Sequence, residues 1–344
     1  MYTILVGGPG VGKGQAILPA VEAIDASGTA NLLSDRLTMS YVLEKLSKGF
    51  PSQVVSTPGS VMIGTDSSAL IVADELKVFV DTGDDVLTNM TALWDSREHP
   101  YGYGTRGKGT FNISKPGISF LAGSTPRWLA AAIPLAAVGG GFTRRVNFVY
   151  EKPHPKTIPF PSRNHSALRD SLVHDLQYIS TNLQGDYTLS KEVGGDNGPF
   201  ATYYKSCVVG ELEDEATATY KDSGWVHALK LAMVLQACDN DSHEISMKNW
   251  SCAVNAVTLV VSDIQTVFRG VGMSDLTVAA DRVIATLETH GIATRKQIQA
   301  MCWQYVMEND LEVILRTLVQ GGMVMEFSQG KELVYQLVPK GGTP

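Results

Sequence analysis

The apolar residues in the first part of the chain form four short runs, and glycine or polar residues follow most of them. The runs lie in YTILV at 2–6, SALIVADEL at 68–76, GISFLAGSTP at 117–126 and VNFVY at 146–150. Runs of this length suit strands that are buried in a parallel sheet. A helix is expected over 14–26, directly after the first run, so the pattern predicts an α/β core with a parallel sheet over residues 1–152.

The middle of the chain has a helical pattern. Residues 165–184 and 197–268 carry apolar side chains at positions i, i+3 and i+4, which predicts a helical domain over 153–270. The stretch WVHALKLAMVLQA is apolar on nearly every face, which predicts a helix buried in the core. We expect His227 and Lys230 of this helix to be structural groups.

The pattern changes again toward the C-terminus. Three short helices and a final hairpin that turns at Gln329-Gly330 predict a winged-helix domain over 271–344. The third helix of such a module often contacts DNA. Here it opens with three acidic residues that repel phosphates, Glu308, Asp310 and Glu312. We therefore expect this domain to contact protein or to organise a ring rather than to bind duplex DNA.

Composition limits the partners that the chain can attract. It has 344 residues, a hydrophobic share of 44% and a net charge of -7, so any contact with nucleic acid must be local. None of the four cysteines stands in a CxxC pair, which argues against a metal or redox site. No uninterrupted apolar run long enough to span a membrane occurs, so we expect no membrane contact and a cytoplasmic location.

A glycine-rich loop follows the first predicted strand. It reads GGPGVGK and fits the pattern G-x-x-x-x-G-K, between a strand and a helix. In such a loop backbone N–H groups turn inward around phosphates, the lysine adds a positive charge, and the helix N-terminus points at the same anion. The sequence predicts an ATP site at Gly7, Gly8, Pro9, Gly10, Val11, Gly12, Lys13, Gly14 and Gln15.

Gly14 departs from the usual pattern, because the residue after the lysine is commonly a Ser or Thr that binds Mg²⁺. Without this hydroxyl, Mg²⁺ must be held through water or by another side chain. The loop also resembles that of adenylate kinases, G-x-P-G-x-G-K-G, in which a Thr follows where this chain has Gln15. A nucleoside monophosphate kinase is therefore one alternative function.

Two acidic residues follow the apolar run that begins at residue 68. We expect Asp74 to hold Mg²⁺, directly or through water, and Glu75 to orient and activate the water that attacks ATP. The pair argues against the kinase alternative, because an enzyme that passes phosphate to another nucleotide must exclude water.

Two further pairs of polar residues stand at the ends of predicted strands. Ser124 and Thr125 are expected to sense the γ-phosphate or the water, because ligands collect at the carboxyl ends of strands in open α/β sheets. Arg144 and Arg145 follow a glycine run and precede the last strand. A guanidinium aimed outward from this point at the phosphate of a neighbouring subunit would act as an arginine finger, which requires a ring of subunits.

With these elements in this order, the chain resembles P-loop ATPases of phage and mobile-element replication, which are related to superfamily 3 helicases and poxvirus-type primase–helicases. GDYTLSKE at 185–192, FATYYKSC at 200–207 and the H-x-L-K-L-A pattern within 220–237 are similar to the helical segment of that family. GFTRR resembles its G-F-x-x-R, which favours Arg145 over Arg144. The resemblance covers residues 1–270 and implies an AAA+-like core.

The resemblance also implies a hairpin that grips DNA, between the acidic strand and the run at 117–126. Short polar runs around Gly107 predict such a hairpin, with Arg106 and Lys108 near its tip. In a homo-hexameric ring these tips would line the pore and track the phosphates of single-stranded or forked DNA.

These patterns predict a motor that hydrolyses ATP with Mg²⁺ and moves on nucleic acid. The expected protein is a replicative DNA helicase of viral or mobile-element origin, which acts in the cytoplasm of a bacterial host if a phage encodes it. A primase or another replication protein is a candidate partner. The alternative from a different class is a nucleotide-dependent switch or loader that acts on a partner protein without unwinding.

Overall fold

In this computed structural model the chain folds into two units, Met1–Val271 and Gly272–Pro344, each with an apolar core. Residues 1–152 and 153–270, treated above as separate domains, share the first core. The structure describes residues 1–33, 37–57, 60–83, 85–95, 100–105, 109–133, 137–138, 140–151, 166–208, 215–268, 275–303, 306–330 and 332–338.

The elements of the first unit alternate between strands and helices over its first half and are mainly helical over its second half. The described strands are β1 (Tyr2–Val6), β2 (Leu32–Leu33), β3 (Phe50–Thr57), β4 (Ser60–Asp66), β5 (Ser68–Ala73), β6 (Tyr101–Thr105), β7 (Gly109–Ile113), β8 (Gly117–Ser124), β9 (Val146–Tyr150), β10 (Thr188–Leu189) and β11 (Glu244–Ile245). The described helices are α1 (Lys13–Ser27), α2 (Met39–Lys48), α3 (Leu76–Val80), α4 (Val86–Trp94), α5 (Pro126–Ala132), α6 (Ser166–Asn182), α7 (Pro199–Ser206), α8 (Glu215–Asp222), α9 (Gly224–Asp239) and α10 (Met247–Phe268).

A five-stranded sheet in the order β2-β5-β8-β1-β9 forms the centre of this unit. All four strand pairings are parallel, so the carboxyl ends of the strands lie along one edge. The four strands predicted from apolar runs are present, and β2 was not predicted. One strand, β8, separates β1 from β5, which means that the glycine-rich loop and the two acids follow strands that are not neighbours.

Two antiparallel hairpins project from the chain between sheet strands. The first is formed by β3 and β4 and was not predicted. The second, formed by β6 and β7, confirms the predicted hairpin. Its base is tied to α4, because the hydroxyl of Tyr101 donates to Asn89 and that of Tyr103 donates to Asp85. The tip with Arg106 and Lys108 lies outside the described residues.

The helical half confirms the predicted helices, and α9 packs in the core as predicted. His227, Ala228 and Ala232 are buried, and Leu229, Leu231 and Leu235 pack against the core as partly buried residues. Met233 and Val234 are exposed, so part of the apolar surface of this helix does not meet the core.

Helix α10 is apolar over a long stretch. By length and composition alone it is the one helix in the described part of the chain that could cross a membrane. Its apolar residues do not form one uninterrupted run, because Asn255 and Ser262 lie among them. Its residues Trp250, Val257 and Ile264 are buried in the core of the first unit.

The second unit contains three helices and a small antiparallel sheet. Its elements are α11 (Asp275–His290), β12 (Ile292–Thr294), α12 (Arg295–Cys302), α13 (Glu308–Gln320), β13 (Val324–Gln329) and β14 (Glu332–Leu337). The sheet order is β12-β14-β13. The three helices and the final hairpin were predicted, and β12 was not. Glu308 and Asp310 lie in the first turn of α13, as expected from the sequence.

The close approach of β8 to the end of β5 predicts the effect of a single methyl group. A Cβ at Gly123 would lie 2.6 Å from the carbonyl oxygen of Asp74, and backbone cannot move aside as a side chain can. We expect Gly123→Ala to destabilise the first unit by about 1–3 kcal/mol and to lower its melting temperature in scanning calorimetry. Gly14→Ala is the matched control, because its Cβ would meet no heavy atom within 4 Å. It should instead stabilise α1 by about 0.5–1 kcal/mol. Equal melting temperatures for Gly123→Ala and the unchanged chain would contradict this prediction.

Candidate functional site

The glycine-rich loop takes a backbone conformation that only glycine adopts easily. Gly10 has φ 78° and Gly12 has φ 89°, both in the left-handed region. Gly12 precedes the first residue of α1 and provides no side-chain cap for the helix. The N–H groups in the first turn of α1 therefore have no capping side chain and remain suited to an anion.

Gly7 fastens the start of the loop between two strands. Its N–H donates to the carbonyl of Ser124 at 3.2 Å, at the end of β8. A Cβ at Gly7 would lie 2.8 Å from Cγ2 of Val11 and 3.1 Å from the carbonyl oxygen of Glu151. The loop thus begins in a space that excludes any side chain.

Lys13 closes the loop on itself. Its ammonium group donates to the carbonyl oxygens of Gly7 at 2.9 Å and Gly8 at 3.1 Å. No carboxylate pairs with Lys13 in the described part of the chain. Neutral carbonyls bind an ammonium group less strongly than charged oxygens do, so an anion could replace them.

Glu75 has a side-chain oxygen that the folded chain does not satisfy. Its Oε2 is buried and has no hydrogen-bond partner in the described structure. Burial and the neighbouring charge of Asp74 raise the pKa of Glu75, and the positive charge of Lys13 partly opposes them. A buried acceptor without a donor costs free energy, so this oxygen is poised for a donor from outside the chain. Asp74, which precedes it, is exposed.

Ser124 and Thr125 both have local hydrogen bonds. The hydroxyl of Ser124 is fully buried and donates to the carbonyl of Thr125 at 3.2 Å. The hydroxyl of Thr125 accepts from the N–H of Trp128 and thereby caps α5. These bonds give both residues a structural role at the strand end, and their sensing of phosphate or water stays a prediction.

The parallel register brings the loop and the acids to one edge of the sheet. Val6, the last residue of β1, pairs with Ser124 of β8. Ala73, the last residue of β5, pairs with Ala122, which lies two residues before Ser124 in β8. The loop, both acids, Ser124 and Thr125 therefore share the carboxyl edge. The effects of Lys13 and Asp74 on the pKa of Glu75 show that these charges are close enough to interact.

The arginine pair lies at the other edge. Tyr2, the first residue of β1, pairs with Val146, the first residue of β9, and both arginines precede Val146. A strand of this length spans on the order of 13 Å. The loop and the arginines of one chain are therefore at opposite ends of β1.

The structure corrects the orientation expected for Arg145. Its guanidinium is buried, with Nη2 at 3.0 Å from a carboxylate oxygen of Asp95 and Nη1 donating to the carbonyl of Gly141 at 2.7 Å. The group also lies over the ring of Trp94. Arg145 thus points into its own chain rather than outward, because Asp95 and Trp94 at the end of α4 hold it.

Arg144 is the less constrained arginine. Its side chain is half-buried and has no ion pair or hydrogen bond with any described residue. Its carbonyl oxygen lies 2.8 Å from Nε2 of His227 in α9. The sequence motif favours Arg145 over Arg144. In the fold, contacts with the end of α4 and with α9 give the two arginines different surroundings.

A buried polar network supports the arginine turn. It agrees with the structural role expected for His227, whereas Tyr220 and Asn147 were not expected in it. The ring of Tyr220 stacks on His227 with ring centroids 4.9 Å apart, and its hydroxyl donates to Asn147 at 2.7 Å. Asn147 in turn donates to the carbonyl of Tyr2. Burial lowers the pKa of His227 to about 4. The available signal was the spacing of His227 and Lys230, which places them on one face of α9.

No group of three or more metal-ligating His, Cys, Asp or Glu side chains occurs in the described ranges. Asp74 at the carboxyl edge is a single exposed carboxylate. Mg²⁺ typically uses one or two protein carboxylates together with water and substrate phosphates, and a single carboxylate fits that mode.

Comparison with known proteins identifies no family. A scan against protein-family models finds no match for this chain, and a search of curated proteins finds none either.

The buried histidine predicts a pH-dependent stability. Because the pKa of His227 is about 4 when folded and 6.5 in a solvated chain, the unfolded state binds more protons between these values. Stability should therefore fall as the pH drops from 6.5 to 4, by up to about 3 kcal/mol relative to His227→Gln.

Urea unfolding across that pH range measures the difference between the two proteins. His174→Gln is the control, because His174 is an exposed residue of α6, and it should follow the unchanged chain. A pH dependence in His227→Gln equal to that of the unchanged chain would contradict the prediction.

Proposed function

We propose that this chain is an ATP-hydrolysing motor that acts on nucleic acid, in the manner of a ring-forming replicative DNA helicase. One observation carries the proposal. At the carboxyl edge of the sheet, a loop suited to phosphate and its lysine face a glutamate whose buried oxygen has no partner among the described residues.

Two features of the fold support the finer assignment to a P-loop, AAA+-like core with a winged-helix module. In the sheet, the strand before the loop and the strand before the acids flank a third strand, β8, so that a phosphate and an attacking water have room between them. In the second unit, the order helix, strand, helix, helix and hairpin supports a winged helix.

The loop fits the phosphates of ATP. The positive φ of Gly10 and Gly12 turns backbone N–H groups inward, and the absence of a side chain at Gly7 lets the chain pass between β8 and Glu151. Lys13 would exchange its two carbonyl partners for charged phosphate oxygens, which gain more from an ammonium group.

Asp74 is the residue that would hold Mg²⁺. When bound, the metal would neutralise charge on the phosphates and orient them. Gly14 offers no hydroxyl, so Asp74 with water and phosphate oxygens would complete the set of ligands. A Cβ at Gly14 would meet no heavy atom within 4 Å. The fold therefore has room for a side chain at this position and does not require glycine there for steric reasons.

Glu75 is the proposed general base. Its raised pKa brings the carboxylate nearer to neutral pH, which favours proton transfer from water. The oxygen without a partner, Oε2, would accept a hydrogen bond from the attacking water and then its proton. The charge of Lys13 keeps the carboxylate ionised enough to act as a base.

Contact with nucleic acid is proposed for the hairpin of β6 and β7. Tyr101 and Tyr103 join its base to α4, and α4 ends at Asp95, which pairs with Arg145. If a bound nucleic-acid strand displaced the hairpin, α4 would transmit the displacement to the arginine turn. The tip residues Arg106 and Lys108 remain the proposed phosphate contacts.

Shared sites follow from the position of the arginines. Arg144 lies at the edge of the sheet opposite its own loop, so it cannot serve the nucleotide of its own chain. In a homo-hexameric ring it would serve the loop of the next subunit, where its guanidinium would stabilise charge in the transition state. A switch or loader that acts on a protein is the second candidate, favoured by the acidic first turn of α13.

Two substitutions test the chemistry. Glu75→Gln should retain ATP binding and lose hydrolysis by about 100-fold or more, because the amide keeps the shape and lacks the basicity. Lys13→Ala should lose both, since the loop loses its cation. Binding of a fluorescent ATP analogue and release of phosphate are the measurements. Hydrolysis by Glu75→Gln within a few-fold of the unchanged chain would rule out Glu75 as the base.

Single-stranded DNA separates the candidate functions in the same assay. A motor should hydrolyse ATP faster when single strands are added, whereas a switch or loader should not respond to them. Transfer of phosphate to a nucleoside monophosphate would identify a kinase instead.

Mixed assemblies test the shared site. Arg144→Ala subunits should bind ATP and fail to hydrolyse it, and adding Lys13→Ala subunits should restore part of the turnover. The first variant supplies an intact loop and the second supplies the arginine. Arg145→Ala is the contrasting variant, because breaking its partly buried pair with Asp95 should lower stability by about 3 kcal/mol. If mixed assemblies form without rescue, Arg144 does not act in trans.

A further inference from the structure

Positive charge is in excess around the arginine turn, Thr143–Arg145. The turn contributes Arg144 and Arg145, and α9 contributes Lys230, whereas Asp95 is the carboxylate that pairs with Arg145. Arg145 and Lys230 thus lie near the single carboxylate of Asp95, and Arg144 is the residue next to Arg145 in the turn. A desolvated cation without a counter-ion costs several kcal/mol in proteins, so the cluster is suited to receive an anion.

Lys230 is held in this cluster by a ring rather than by an acid. Its ammonium nitrogen lies 3.5 Å from the centroid of Trp94, and the guanidinium carbon of Arg145 lies 5.3 Å from the same centroid. No ion pair of Lys230 occurs in the described part of the chain. Burial and the charge of Arg145 hold its pKa below the usual range, although Asp95 opposes them.

Two buried donors beside these cations also have no partner in the described structure. They are Nε of Arg145 and the indole N–H of Trp94. Nδ1 of His227, on the same face of α9 as Lys230, is unpartnered as well. Arg145 is 9% exposed, and its Nε is shielded from solvent. Buried donors without a partner and cations without an ion pair among the described residues lie in one place, which favours an anionic ligand.

We infer that this cluster is a phosphate-binding site, in which Lys230 and Arg144 contact the phosphate and Arg145 adds positive charge from behind. Lys230 and Arg144 are half-buried, so a ligand can reach them, whereas Arg145 is held by Asp95. A phosphate group carries more negative charge than a carboxylate and accepts from several donors at once.

The assignment of a source for this phosphate depends on the proposed function. The cluster lies at the edge of the sheet opposite the loop, so the phosphate belongs to the nucleotide that a second copy of this chain holds on its loop. Lys230 would then be a second cation in the shared site. A phosphate of nucleic acid is the other source of the same chemistry, because α4 links the cluster to the hairpin.

The site can be tested without hydrolysis, in a chain whose own loop is disabled. Pyrophosphate binding to Lys13→Ala protein, measured by calorimetry at low salt, should show one remaining site. Adding Lys230→Met should weaken that binding at least tenfold, because the apolar side chain keeps the contact with Trp94 and removes the charge. Lys230→Arg should retain it.

Lys248→Met is the matched control, since Lys248 is an exposed lysine of α10 that is paired with Asp239. It should leave the remaining binding unchanged. No pyrophosphate binding by Lys13→Ala protein would overturn the inference, and so would equal weakening by Lys248→Met. Neither result depends on hydrolysis. A failure of the phosphate-site inference can therefore be distinguished from a failure of the proposed ATPase function.

The source is tested in mixed assemblies. Lys230→Met subunits should hydrolyse ATP slowly on their own and recover turnover when Lys13→Ala subunits are added. If single-strand affinity falls in Lys230→Met and mixing gives no recovery, the phosphate comes from nucleic acid and the assignment to a neighbour's nucleotide is wrong.

Discussion

The parallel alignment of β1, β8 and β5 is the constraint on which the candidate site depends. The carbonyl of Ser124 accepts from Gly7, and Gly123 allows the backbone of Asp74 to approach within a distance that a Cβ would forbid. These two contacts put the loop and the acids at one edge, in fixed register. A shift of β8 by one residue would move both contacts and separate Lys13 from Glu75.

The two edges of the sheet differ in the kind of interaction that their polar groups lack among the described residues. At the carboxyl edge, a buried carboxylate oxygen of Glu75 lacks a donor among the described residues, and at the amino edge Arg144 and Lys230 have no ion pair with any described residue. Within one chain β1 keeps the two edges apart. Assembly of copies in a ring would bring the amino edge of one chain to the loop of the next and satisfy both edges together.

Burial distinguishes residues that look equivalent in the sequence. Arg144 and Arg145 are adjacent, yet Asp95 and Trp94 hold Arg145 inside the chain, whereas the side chain of Arg144 has no partner among the described residues. His227 and Lys230 share a face of α9, yet His227 meets the carbonyl of Arg144 and the ammonium group of Lys230 lies over the ring of Trp94. Such differences arise from contacts with helices that are distant in sequence, so local sequence patterns do not predict them.

The sequence by itself determined the strands β1, β5, β8 and β9, the loop at Gly7–Lys13 and the two acids at a strand end. Each depends on local properties: short apolar runs, glycines and the residue that follows a run. It did not predict β2, the hairpin of β3 and β4, or β12, which lack a distinctive pattern. Only the tertiary structure decided the strand order, the direction of Arg145, the unsatisfied oxygen of Glu75 and the charge cluster at Lys230, because each depends on contacts between segments far apart in the chain.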